Sequence, residues 1–132
     1  MKYIGPDFSN ITTLLSDEEL LIQKTANEFV DKEFMPIVNE YYEKGSFPTE
    51  LIPKMGELGF FGATLPKKYG GSEISSTAYG LIMQELEKGD SGLRSVCSVQ
   101  GGLVMYPIFE YGTEEQKEKW LPQLAQGSAV GC

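Results

Sequence analysis

Apolar residues recur every three or four positions over most of the chain, which is the spacing of an amphipathic α-helix. The longest such stretch predicts a first helix over residues 16–43. It begins with a capping box, because Ser16 at the N-cap is followed three positions later by Glu19. Pro36 should kink or break this helix, since proline lacks a backbone donor. The apolar stripe consists of Ile22, Ala26, Phe29, Val30, Phe34, Ile37, Val38 and Tyr41.

A second helix is predicted over residues 49–58. Pro53 falls in about its first turn, where proline is best tolerated, and Gly59 is the natural stop. The paired Gly70–Gly71 then marks a loop. Beyond this loop, apolar residues in helical register predict a third helix over residues 75–88.

Two further helices complete the pattern. The fourth begins near Asp90 and runs to about Tyr111. The fifth begins at Thr113, which forms a second capping box with Gln116, and ends at Gly127. No stretch predicts a β-hairpin. We therefore predict an all-α fold, a helical bundle of five to six helices.

The last five residues, "SAVGC" at positions 128–132, are an apolar run with no cap, charge or turn residue to close it. We interpret this run as the opening of a strand. We accordingly expect the chain to be a fragment, or the N-terminal domain of a larger protein.

Composition excludes several functions. The chain has 132 residues, about one domain, and a net charge of −8, which argues against nucleic acid and anionic membranes as partners. No apolar run reaches the ~18 residues of a membrane span, and no targeting signal is visible. Histidine is absent, which removes histidine-based triads and metal sites. Cys97 and Cys132 lie far apart, so we expect two free thiols.

Arg94, the only arginine, lies near the start of the fourth helix among small residues. Ser95 is its neighbour, and the helical period places four residues on its face: Ser91, Ser98, Gly101 and Met105. Such a face forms a groove beside a cation. The helix dipole disfavours a cation at this end, and backbone N–H groups beside a guanidinium suit an anion, above all a carboxylate. A salt bridge to one of the nineteen acidic residues is the alternative.

The opposite face of the fourth helix is apolar, with Gln100 at its centre. We expect Gln100 to form hydrogen bonds across the core rather than to bind a ligand, because buried amides need partners. The apolar members of this face are Leu93, Val96, Cys97, Leu103, Val104 and Pro107.

Two longer motifs resemble the acyl-CoA dehydrogenase family. They are "ELGFFGATLPKKYGG" at the end of the second helix and "YGTEEQKEKWLPQLAQG" in the fifth. Their spacing and the long first helix also match, over about residues 14–132. The resemblance implies a short N-terminal extension at residues 1–13, the family's N-terminal α-domain at residues 14–127, and the start of its middle β-domain at residues 128–132.

Within the family, "DSGLRSVCSVQGGLVMYPIFEYG" resembles the glutaryl-CoA dehydrogenase branch. In that branch the arginine and the following serine bind the distal carboxylate of the glutaryl chain, which implies this role for Arg94 and Ser95. Ser98, on the same helical face as Arg94, completes the predicted substrate-binding set. The resemblance places the catalytic base, and nearly all contacts to FAD, in later domains. No catalytic, cofactor-binding or metal-binding residue is therefore assigned to this chain.

For the parent protein, the resemblance implies an FAD-dependent dehydrogenase that oxidises the α,β-bond of an acyl-CoA. The expected substrate is glutaryl-CoA. Whether its oxidation is followed by decarboxylation to crotonyl-CoA is left open. It also implies a homotetramer that reduces electron transfer flavoprotein, in the cytoplasm of a prokaryote or the mitochondrial matrix. Two alternatives stay open. One is an acyl-CoA oxidase or other flavin enzyme on the same scaffold, and the other is a non-catalytic helical interaction module.

Overall fold

Seven α-helices make up most of residues 7–132, the part of the chain that the computed structural model describes, and these residues contain no β-strand. The predicted all-α class is therefore confirmed. Residues 1–6 of the predicted N-terminal extension lie outside the described residues. The helices are α1 (Asp17–Phe29), α2 (Val38–Lys44), α3 (Leu51–Glu57), α4 (Ser76–Gly89), α5 (Ser91–Ser98), α6 (Tyr106–Tyr111) and α7 (Glu114–Ala125).

The predicted first helix is divided into three pieces. A π-helical segment, Val30–Phe34, continues α1, and a turn over residues 35–37 separates it from α2. The predicted break at Pro36 is thus confirmed. The capping box is also present, since the Ser16 hydroxyl accepts from the Glu19 N–H and the Glu19 carboxylate accepts from the Ser16 N–H. The same carboxylate accepts from the Ser75 hydroxyl at 2.9 Å, which joins the starts of α1 and α4.

The predicted second, third and fifth helices match α3, α4 and α7 to within about two residues. Gly59 and Gly127 both adopt positive φ, +74° and +70°, as expected of glycines that end helices. The Thr113 capping box with Gln116 is present at the start of α7. Between α3 and α4 the chain forms a loop with one short 3₁₀ turn, Lys67–Tyr69.

The core lies between α1, α4, α5 and α7, with the Phe60–Phe61 segment of the loop inserted among them. Phe29 and Phe60 meet edge to face with ring centroids 5.7 Å apart, a favourable geometry for aromatic rings. Both rings are buried, as is Phe61. The core fixes α4 and α5 against each other, and these two helices carry the residues around Arg94.

The predicted fourth helix is not one regular α-helix. A second π-helical segment, Val99–Met105, separates α5 from α6. Because a π-turn closes at i+5 instead of i+4, it rotates later residues out of α-helical register. The expected apolar face is therefore wrong at Leu103 and Pro107, although Val104 still packs against the core. Leu103 is 72% exposed and Pro107 is exposed, whereas Met105, which the helical period placed beside Arg94, is fully buried.

Candidate functional site

The turn between α4 and α5 sets the position of Arg94. Asp90 is the N-cap of α5, and its Oδ1 accepts hydrogen bonds from the N–H groups of Gly92 at 2.7 Å and Leu93 at 3.2 Å. This confirms the predicted helix start. It also corrects one expectation, because these N–H groups bind the Asp90 carboxylate and are not free to bind an external anion.

Arg94 forms a salt bridge with α4, which was the alternative left open by the sequence. Its Nε lies 2.6 Å from Oε2 of Glu87, and its Nη1 donates to the Ser98 hydroxyl at 3.1 Å. Its Nη2 donates to no residue among 7–132. The side chain remains 34% exposed. The guanidinium is thus held on two sides and keeps N–H groups at Nη2 for which no described residue is the acceptor.

The predicted set of Arg94, Ser95 and Ser98 is brought together only in part. The Ser98 hydroxyl contacts Arg94 and also donates to the Ser95 carbonyl at 3.1 Å. Ser95 joins this network through its backbone, and its hydroxyl forms no hydrogen bond within the described part of the chain. A substrate-binding role for these three residues stays a prediction.

Gln100 behaves as the sequence predicts. It is 1% exposed, and its Nε2 donates to the carbonyls of Leu124 and Ala129 at 2.9 and 2.8 Å. Its Oε1 accepts from the N–H of Gly131 at 3.1 Å. Both ends of the amide are satisfied, so Gln100 fastens the π-helical segment to the chain that follows α7.

Cys97 lies on the buried face of α5, away from Arg94. Its thiol donates to the Phe60 carbonyl at 3.4 Å, and burial raises the pKa of Cys97 to about 12. A thiol with that pKa is not a nucleophile at neutral pH. Both cysteines are free, as predicted.

Comparison with known proteins assigns the family. Residues 16–128 match the family model "Acyl-CoA dehydrogenase, N-terminal domain". The chain belongs to the acyl-CoA dehydrogenase family. A crystal structure of glutaryl-CoA dehydrogenase from Mycobacterium smegmatis in complex with FADH2 is 43% identical, with a TM-score of 0.90 over 94% of this chain and 32% of that chain.

Other acyl-CoA dehydrogenases are also similar. Butyryl-CoA dehydrogenase from Megasphaera elsdenii is 37% identical, with a TM-score of 0.80 over 88% of this chain and 31% of that chain. The mitochondrial short-chain specific acyl-CoA dehydrogenase of Bos taurus is 30% identical over 89% of this chain and 29% of its own length. This chain therefore spans about a third of the length of the acyl-CoA dehydrogenases that it matches.

One carboxylate of this acyl-CoA dehydrogenase domain is buried, and its burial was not predicted from the sequence. Glu85 on α4 is 7% exposed and accepts from the side-chain amides of Gln23 at 3.1 Å and Asn27 at 2.9 Å, and from Lys88 at 2.8 Å. The two amides stand four positions apart on α1, so they share one helical face. That spacing was the available signal, and it predicts a polar partner between α1 and α4.

The described residues contain no cluster of His, Cys, Asp or Glu that could hold a metal ion. None of their helices is long and apolar enough to cross a bilayer.

Proposed function

We propose that this chain is the N-terminal α-domain of an acyl-CoA dehydrogenase that oxidises the α,β-bond of glutaryl-CoA or a similar dicarboxylyl-CoA. The observation that carries the proposal is the guanidinium of Arg94. It is partly exposed, oriented by Glu87 and Ser98, and retains N–H groups at Nη2 that bind no described residue. A planar guanidinium fork is the protein group best suited to a carboxylate.

In this proposal the domain selects the substrate. Arg94 binds the distal carboxylate, and Ser95 next to it supplies a hydroxyl that has no hydrogen-bond partner among residues 7–132. Ser98 has its hydroxyl bound to both Arg94 and the Ser95 carbonyl. It therefore contributes mainly by holding the guanidinium in place. Whether decarboxylation to crotonyl-CoA follows oxidation is left to the parts of the enzyme outside this chain.

FAD is proposed as the cofactor of the parent enzyme, where it would accept the hydride from the substrate. The groove between α1 and α3 does not fit the flavin diphosphate. This groove of about 540 Å³ is lined by three lysines and three glutamates, so it offers no excess of positive charge for such a group. In this proposal FAD would be held mainly by parts of the enzyme outside this chain.

Replacing Arg94 tests the proposal in the full-length enzyme. Loss of a hydrogen bond to a charged group costs about 1.5–3 kcal/mol, so Arg94→Ala should raise KM for glutaryl-CoA by roughly 10- to 100-fold. KM for butyryl-CoA, which lacks the second carboxylate, should change little. Arg94→Lys is the matched control, because it keeps the charge and loses the fork. Equal effects on both substrates would exclude the carboxylate role.

The Glu87 salt bridge favours a second candidate function. Because Glu87 already neutralises Arg94, an uncharged acyl chain could lie beside the pair without facing an isolated cation. The parent enzyme would then be a short-chain acyl-CoA dehydrogenase. A wild-type enzyme with a higher kcat/KM for butyryl-CoA than for glutaryl-CoA would support this candidate. Assays with an artificial electron acceptor and with oxygen would separate a dehydrogenase from an acyl-CoA oxidase.

The proposal extends to assembly and electron transfer. The parent enzyme is expected to be a homotetramer that reduces electron transfer flavoprotein, in the cytoplasm of a prokaryote or the mitochondrial matrix. The family membership supports this expectation. Molar mass in solution and reduction of electron transfer flavoprotein by the substrate-loaded enzyme would test it.

A further inference from the structure

A pocket of about 250 Å³, which we call the α2 pocket, lies between the end of α2, the loop that follows α2 and the Asp90 turn. Four of its described lining residues are aromatic: Phe34, Tyr41, Tyr42 and Phe47. Asp90 is the only one of these lining residues that is charged at neutral pH, and Arg94, Ser95 and Ser98 are not among them. The α2 pocket therefore combines several aromatic rings with a single carboxylate.

The reversal of the chain after α2 builds one wall of this pocket. Gly45 ends α2 in the left-handed conformation, with a φ of +61°. Its N–H donates to the Tyr42 carbonyl at 3.1 Å, and the N–H of Ser46 donates to the Tyr41 carbonyl at 3.0 Å. Pro48, which also lines the pocket, is fully buried. Because backbone hydrogen bonds and burial fix this loop, the wall is a constant part of the fold.

Three of the four aromatic side chains are held in place, and the fourth is exposed. Phe34 is 3% exposed, and Phe47 packs against the core. The Tyr41 hydroxyl donates to the Glu50 carboxylate at 2.5 Å, which restrains its ring. Tyr42 is 84% exposed. An exposed ring beside three restrained ones leaves aromatic surface that a ligand can cover with a gain in free energy.

The negative charge of Asp90 is not neutralised within the described part of the chain. Its Oδ1 accepts two backbone N–H groups of α5, whereas its Oδ2 accepts no hydrogen bond from residues 7–132. The basic residues on the two adjoining helices are paired with other carboxylates, Lys44 of α2 with Glu40 and Arg94 of α5 with Glu87. The dipole of α5 offsets about half a charge at most. The α2 pocket therefore disfavours an anion and favours a cation.

Aromatic rings and one carboxylate suit a particular class of cation. The faces of aromatic rings attract a cation within about 6 Å, and quaternary ammonium groups are recognised in this way. A primary ammonium carries three N–H groups that each need an acceptor, whereas a quaternary ammonium carries none. We propose that the α2 pocket binds the quaternary ammonium group of a small organic cation, with the aromatic rings against its methyl groups and Asp90 as its counter-ion. This site does not depend on which acyl-CoA the parent enzyme oxidises.

Two probes of the same shape test the proposal on the full-length enzyme. They are choline and the neutral alcohol dimethylbutanol, in which a carbon atom replaces the nitrogen of choline. Saturation-transfer NMR on the methyl protons of each probe gives its Kd. Choline should bind with a Kd in the millimolar range, at least about fivefold more tightly than the alcohol. Equal affinities would show a merely apolar pocket, and a lack of saturable choline binding would show no cation site. Either result would overturn the proposal.

Two variants locate the binding of choline. Tyr42→Leu removes the exposed ring but keeps an apolar side chain, so the Kd for choline should rise about two- to fivefold. Tyr111→Leu is the matched control, because Tyr111 is 83% exposed and lies on α6, outside the α2 pocket. Asp90→Asn removes the charge and keeps an N-cap acceptor, and it should raise the Kd about fivefold.

The control variant should bind choline as tightly as the wild-type enzyme. An unchanged Kd in Tyr42→Leu or in Asp90→Asn would place choline elsewhere and overturn the proposal. Circular dichroism checks that each variant is folded. If a variant does not fold, the comparison of choline with dimethylbutanol on the wild-type enzyme still decides the question.

Discussion

Cys97 and Cys132 carry the same functional group in opposite environments. Cys97 is fully buried, and burial raises its pKa to about 12, whereas Cys132 is exposed. Because the thiolate is the reactive form, we expect one thiol of the native 132-residue chain to react rapidly with a disulfide reagent at pH 8. Both should react in denaturant. Rapid reaction of two thiols in the native chain would contradict the buried position of Cys97.

The surroundings of Arg94 show which residue-level features the sequence can predict. The isolated arginine among small residues, and its neighbour Ser98 one turn away, follow from helical spacing. Its partner Glu87 does not, because the chain has nineteen acidic residues and the choice among them depends on how α4 packs on α5. Glu85 was missed for the same reason, since its amide partners come from α1.

At the scale of elements, Gln100 joins the π-helical segment to the chain after α7. Gln100→Met keeps the size of the side chain but leaves the Leu124 and Ala129 carbonyls and the Gly131 N–H without this partner. A buried group left unsatisfied costs about 1–3 kcal/mol. We therefore expect the free energy of unfolding in urea to fall by about 2 kcal/mol or more. Gln84→Met, at an exposed position of α4, should change it by less than about 0.5 kcal/mol.

The two π-helical segments mark the limit of prediction from periodicity. Apolar spacing predicts that the helical segments exist and in which order they follow. Local signals such as Ser16 and Thr113 predict their caps. The faces on which residues beyond Gln100 lie cannot be predicted in this way, because an α-helical period cannot anticipate a π-turn. The Gly101–Gly102 pair is the local sequence signal for this irregularity. A Cβ at Gly101 would lie 2.8 Å from the Phe61 carbonyl oxygen, which explains that glycine, whereas a Cβ at Gly102 would meet no heavy atom within 4 Å.

At the scale of the whole molecule, acidic side chains outnumber basic ones and give a net charge of −8. Glu114, in the first turn of α7, accepts hydrogen bonds from Lys68 at 2.9 Å and from the Tyr69 hydroxyl at 2.8 Å, both in the loop after α3. The hydrogen bond from Lys68, followed by that from Tyr69, lowers the pKa of Glu114 from 4.5 to about 2. This cluster thus links α7 to a distant part of the chain through an ionised carboxylate.

The sign of the resulting pH dependence follows from that depressed pKa. A carboxylate whose pKa is lower in the folded state stabilises the fold fully above its unfolded pKa, here 4.5, and loses this contribution as the pH falls toward about 2. Glu114→Gln should therefore lower Tm at pH 6. The difference in Tm between this variant and the wild-type chain should shrink between pH 4.5 and pH 2. The effect should be modest, because the pair is exposed to solvent.

Glu115→Gln is the matched control for this prediction. It removes the same charge from the same turn of α7, so it has the same effect on the helix dipole. Its carboxylate forms no ion pair within residues 7–132, so it leaves the cluster of Lys68, Tyr69 and Glu114 intact. Thermal unfolding followed by helical circular dichroism from pH 2 to pH 6 would give the difference in Tm between each variant and the wild-type chain. If the two variants show the same Tm at every pH, the ion pair does not contribute, and only the helix dipole links α7 to the pH dependence of the fold.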